Sequence, residues 1–234
     1  MAGANRTGGA PTPGVLGLAA LGLALVAASF FAPMWWVSLT APAYPPHLYP
    51  DGVRIHLHWT HVSNGCKAQT REREEIREDE VLDCVAEMDT INHYVGMHPI
   101  AAGAQLEFAI APWLFVGFGL LALVGLFYHG PFWWFLWLPA IALPVGFLVD
   151  FSAWLYWFGH HLNDWAAFTV KPFMPTVLGE GKVAQFSTYS YPHYGFALSV
   201  GASFCLGLAL LRRRKGLQAP ATAPAPAPVR EARA

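Results

Sequence analysis

The sequence predicts a membrane all-α protein of four transmembrane helices, with a small α+β extracytoplasmic domain inserted between helices 1 and 2. Composition is the first observation behind this: of 234 residues, 55% are hydrophobic and 15% aromatic, but only 12% are charged. A soluble domain carries roughly 25% charged residues. The second is a set of four apolar stretches, 14–40, 109–128, 132–158 and 194–211, each long enough at roughly 17 residues or more to cross a hydrocarbon core of about 30 Å.

Residues 1–13 are rich in Gly, Pro and Ala and are expected to be disordered, as is the tail "QAPATAPAPAPVREARA", which has polyproline character. The first stretch reads either as a secretory signal cleaved after "VAA" (residues 26–28) or as an uncleaved anchor. Its continuation through "SFFAPMWWV" favours the anchor. Trp35 and Trp36, and later Trp154 and Trp157, fall where the outer interface belongs. Ala20, Ala24 and Ala28 in the first stretch, and Ser199, Ser203 and Gly207 in the fourth, form small-residue stripes of the kind that let helices approach. Pro139 and Pro144 are expected to kink the third. The cluster Arg212, Arg213, Arg214 and Lys215 follows the last stretch and assigns that end to the cytoplasm under the positive-inside bias. An even number of crossings then places both termini inside a bacterial inner membrane, with "HGP" (129–131) as a tight inner turn. Lys171 and Lys182 in the second outer loop count against that orientation. Segments 41–108 and 159–193 face outward.

The first outward segment holds eleven of the fifteen acidic residues against five basic ones, a net charge of −6 that favours cations or a basic partner. Within "REREEIREDE" (71–80), Arg71 and Glu75 stand at i,i+4 spacing, consistent with a solvated helix. Cys66 and Cys84 are candidates for a disulfide across a bent loop. An unbroken helix would hold them about 27 Å apart, against the roughly 5.5 Å a bridge needs, so helix and bridge exclude one another. Thiolate metal ligation is the alternative, and Cys205 reads as a packing residue.

Two histidine groups are the strongest chemical signal. "VRIHLHWT" (53–60) alternates, so Val53, Ile55, Leu57 and Trp59 share one strand face while Arg54, His56, His58 and Thr60 share the other, with His61 just beyond. Paired imidazoles suit copper or zinc, although a polar face that happens to carry histidine accounts for them too. In "INHYVGMHPI" (91–100), a helix would put His93 and Met97 one turn apart with His98 adjacent, and a thioether beside an imidazole suits copper. The same residues also read as a buried helix ending at "HP" before the next span. Asp150, with a stripe through Trp154 and Trp157 to His161, is either a proton or metal relay beneath the outer domain or an interfacial carboxylate. No CxxCH, P-loop, HExxH or serine-protease arrangement occurs, and no histidines face one another within spans as b-haem requires. No catalytic constellation argues for an enzyme, and nothing suggests nucleic acid.

Tyr49, Pro50 and Gly52, followed by Glu87, Asn92, His93, Tyr94, Gly96 and Met97, resemble a pattern in bacterial four-span membrane proteins. These carry "Tyr-Pro-x-Gly" and "Asn-His-Tyr-Ile/Val-Gly-Met" and are associated with gene neighbourhoods for nitrous oxide reductase and copper-enzyme maturation. The resemblance implies copper handling. The sequence reading is therefore an accessory protein that binds or relays a soft metal, copper above others, for a periplasmic or membrane metalloenzyme or its assembly factors. His56, His58, His61, His93, Met97 and His98 are its candidate ligands, and Asp150 and His161 line the floor. A metal-free assembly scaffold and a small transporter or redox enzyme are the alternatives.

Overall fold

The computed structural model describes residues 10–66, 69–70, 79–80, 82–167, 170–183 and 185–218. The expected termini, and the helix expected over 71–80 apart from 79–80, lie outside them. Helix α1 (Pro13–Phe31) opens with Pro at its first turn, where the missing N–H costs nothing, and gives way at Ala32–Pro33. Strand β1 (Trp35–Thr40) follows at once. The first stretch is thus helix for about its first two-thirds and strand at its end, and Trp35 is not an interfacial anchor but is buried at 1% exposure. β1 pairs with β2 (Val53–Leu57), which pairs with β3 (Val62–Asn64). Strands β4 (Gln69–Thr70) and β5 (Asp79–Glu80) form a separate pair. Next come α2 (Cys84–Val95) and α3 (Gln105–Phe127). A 3-10 turn (Trp133–Leu136), α4 (Leu138–Ile141) and α5 (Leu143–His160) bring the chain back to the sheet end. Strands β6 (Gly179–Val183) and β7 (Phe186–Pro192) lead into α6 (Tyr194–Gln218).

Among the described residues, six helices and a five-stranded antiparallel sheet therefore replace the expected all-α, four-span architecture with its small inserted α+β domain. Among the described residues, three helices are long and apolar enough to cross a membrane: Pro13–Phe31, Gln105–Phe127 and Tyr194–Leu217. The stretch 132–158 is not a single kinked span. Pro139 and Pro144 each occupy the first turn of a new helix, so each prolyl ring starts an element instead of bending one. Nor is the sheet a domain inserted between the first two helices. Its order is β3-β2-β1-β7-β6, so β1 is hydrogen-bonded on both edges, to β2 and to β7 from the other end of the chain.

The antiparallel α1–α6 pair runs on directly into the antiparallel β1–β7 pair. The joint is tied by His193 N–H to the Met34 carbonyl (3.0 Å) and Gly195 N–H to the Pro33 carbonyl (3.0 Å). The helical core packs Val15, Ala19 and Val26 of α1 against Ala202, Leu206 and Ala209 of α6, with Trp137 and Leu143. At Gly22 a Cβ would lie 2.7 Å from Leu206, so only glycine permits that approach. This stripe is not the expected one: Ala20, Ala24 and Ala28 are exposed. On α6 the expected stripe fares better, with Ser199 buried and Ser203 Oγ donating to the Ile141 carbonyl at 2.7 Å. At the end opposite the sheet, Arg213 is 5% exposed, donates to the Tyr128 carbonyl (2.8 Å) and lies 4.4 Å over Trp133. The basic cluster belongs to α6 and shares that end with the 129–131 turn.

Candidate functional site

The strand alternation decides where the histidines go. Val53 and Ile55 turn toward α2 and share a core with Cys84, Met88, Ile91 and Val95. His56 is on the opposite face, with Arg54. Its ring centroid lies 5.0 Å from that of His193. Burial first, then His193 and Arg54, holds the His56 pKa below its usual value. Burial and Arg54 lower His193 likewise. The strand ends at Leu57, so His58 sits in the turn, where its Nε2 pairs with Ser63 Oγ at 3.0 Å and its ring stacks on His61 at 4.3 Å. Burial, followed by the neighbouring imidazoles His61, His56 and His193, brings the His58 pKa down to about 4. His61 is exposed and pairs with Thr60 Oγ1 at 3.0 Å.

The second group does not assemble. Helix α2 stops at Val95, because Gly96 takes the left-handed conformation (φ +81) that ends helices. Its N–H bonds the His93 carbonyl, and the Met97 N–H bonds the Asn92 carbonyl. Met97 is thereby carried off the His93 face. His93 is exposed and stacks on Trp165 at 4.2 Å, while Met97 packs into the core under the sheet. His98 and His161 flank Trp157, with ring centroids 5.0 and 4.9 Å from it. The resembling motif thus has structural work here: Asn92 Nδ2 bonds the His98 carbonyl (3.4 Å), Gly96 caps the helix, and Glu87 accepts from the Tyr44 hydroxyl (3.1 Å). Burial, then Glu87, raises the Tyr44 pKa. His56 lies on the face of β2 turned away from Met97, and among the described residues no three His, Cys, Asp or Glu side chains cluster tightly enough to hold a metal ion.

Cys66 and Cys84 are joined in a disulfide, Cα–Cα 5.9 Å. Asn64 Oδ1 accepts from both of their backbone N–H groups, at 3.0 and 3.3 Å. This bridge fixes the start of α2 beside β3. Asp83 caps the helix through the N–H groups of Val85 and Ala86.

What the packing encloses is a cavity of about 530 Å³. Its roof is the apolar sheet face (Val37, Ile55, Leu57, Phe186) and α2 (Met88, Ile91, Val95), with Met97 beside them. Its walls are one face of α3 (Glu107, Phe108, Ala111, Leu114, Phe115, Phe118) and one face of α5 (Leu143, Gly146, Phe147, Asp150, Phe151, Trp154). The i, i+3/i+4 spacing of both sets is that of a helix face. Leu114, Ala142 and Gly146 line the cavity and are also exposed. Polar groups gather toward the sheet end: Asn92, His58, Glu107 in the first turn of α3, and Asp150. Trp154 Nε1 donates to Glu107 Oε1 at 3.3 Å, and Glu107 Oε2 is buried with no hydrogen-bond partner.

Of the expected floor, Asp150 lines this cavity, whereas His161 is exposed beyond the end of α5. Sequence reasoning missed Glu107, His193 and the cavity. Glu107 had a signal, a carboxylate heading the apolar run "LEFAIAPWLF". His193 had none. Comparison with protein-family models, curated proteins and solved structures finds no match to this chain.

Proposed function

We propose that this protein is an integral membrane protein that takes a single-chain amphiphile from the surrounding leaflet and holds it beneath its outer sheet. One observation carries the reading: the cavity has the polarity gradient of a lipid monolayer. Asn92, Glu107 and Asp150 stand near the sheet, and Phe115, Phe118, Pro139 and Leu143 line its deep end. From Glu107 to Phe118 the lined stripe of α3 is about 16 Å long at 1.5 Å per residue, room for an extended chain of about a dozen methylenes. A volume of about 530 Å³ lies within the range of small-molecule sites, about 300–1,000 Å³. In this reading the sheet faces outward, and Arg212, Arg214 and Lys215 face the cytoplasm.

The test is the lipid content of protein purified in mild detergent. About one amphiphile per chain is expected. Its loss is expected in Gly146→Leu, where a new Cβ meets no atom within 4 Å, so that the side chain grows without a backbone clash. A preparation without bound amphiphile, or occupancy indifferent to both Gly146→Leu and Ala111→Leu, defeats the reading.

A second reading keeps the metal on the sheet face alone. His56 and His193 supply two imidazoles with ring centroids 5.0 Å apart. Copper analysis of the same preparation separates the two: this reading requires stoichiometric copper that falls in a His56→Ala, His193→Ala variant.

A further inference from the structure

We infer that the head group held at the sheet end of the cavity is a hydrogen-bond donor, an ammonium or a hydroxyl, and that acids and phosphates are rejected. The inference rests on the amphiphile reading above and adds its chemical class.

Glu107 from α3 and Asp150 from α5 line the same cavity. An ionised carboxylate only accepts hydrogen bonds. One Glu107 oxygen is engaged by Trp154, and the other is buried and unpartnered. Among the described residues, no lysine or arginine lines the cavity. The one imidazole there, His58, has a pKa of about 4 and is neutral at physiological pH. An anionic head would bring a negative charge and further acceptors to the open Glu107 oxygen with no cation among the lining residues, the costly arrangement for a site withdrawn from water. A donor head satisfies that oxygen, and an ammonium also offsets carboxylate charge.

The experiment uses the full chain in detergent, offered an equimolar mixture of dodecylamine, dodecanol and dodecanoic acid, with retained probes counted by native mass spectrometry. The amine and the alcohol are expected to be retained about tenfold over the acid, the size of one charge-assisted hydrogen bond. The amine exceeding the alcohol identifies an ionic contact, and equal retention a hydrogen bond alone. Both outcomes support the inference. A Glu107→Gln, Asp150→Asn variant is expected to retain all three about equally. Wild-type protein that retains the acid as well as the amine overturns the inference, as does a donor preference that survives in the double variant. Dodecane, which has no head group, serves as the control. If wild type retains dodecane but does not discriminate among heads, only the head-group inference fails. If it retains no probe, the amphiphile reading falls with it.

Discussion

Replacing Cys66 by Ala removes the bridge to Cys84 and leaves the fully buried Cys84 side chain in place, so no cavity opens beneath α2. The bridge spans a sequence separation of 18. In the chain-entropy model a loop of that length lowers the entropy of the opened state by about 11 cal/mol/K, or about 3 kcal/mol at 25 °C. If α2 opens as a unit, its amide hydrogens should exchange about 200-fold faster, since each 1.4 kcal/mol is a factor of ten. The Asn64 side chain, which accepts from both cysteine N–H groups, still ties the two segments and trims this figure. Hydrogen exchange read by mass spectrometry, peptide by peptide, is the assay. The acceleration should be confined to α2 and the neighbouring β2–β3 edge, because α1 and α6 belong to a different core cluster. Exchange in α2 within threefold of wild type would refute the reasoning and show that packing on Val53 and Ile55 alone secures the helix. Equal acceleration in α1 and α6 would refute it differently, by showing that the sheet and the helices open together.

Gly96→Ala puts a Cβ in left-handed backbone 2.9 Å from both the Asn163 carbonyl and the Ala166 Cβ. It should cost about 1–3 kcal/mol and release the 162–167 loop, seen as proteolytic nicking there; an uncut loop would contradict it. Asp83→Ala should weaken α2 by about 1 kcal/mol, with Asp83→Asn close to wild type, both measured by exchange in the first turn. The lowered pKa values of His56, His58 and His193 set a pH dependence. The unfolded chain takes up these protons near pH 6.5, whereas folded His58 waits until about 4, so stability is complete above about 6.5 and falls as pH drops toward 4. Thermal melts of wild type against His58→Gln should converge with falling pH; parallel curves would rule out the histidine contribution.

Local regularities were legible in the chain. Apolar runs identify α1, α3 and α6 as helices long and apolar enough to cross a membrane, because hydropathy is summed over one continuous segment. The alternation of Val53, Arg54, Ile55, His56 and Leu57 identifies β2 because side chains in a strand change face at every residue. The Cys66–Cys84 bridge was legible as well, as the pairing open to two cysteines in one outward segment. The end of α2 was misjudged for want of weight on one residue, Gly96, whose left-handed backbone turns Met97 away from His93.

Tertiary structure alone decided the rest. Trp35–Thr40 reads as the end of a span, yet it is the middle strand of a sheet, because Ser187–Pro192 arrives roughly 150 residues later to satisfy its second edge. A strand's hydrogen-bonding partner leaves no trace in the strand's own periodicity, and the pairing register is what sets His56 beside His193. The cavity has the same origin. Glu107 and Asp150 each lie on an ordinary helix face, and they become the polar end of one pocket only because α3 and α5 are held apart beneath a shared roof. Periodicity tells which side of an element avoids water, and the chain's long-range pairings determine what that side meets.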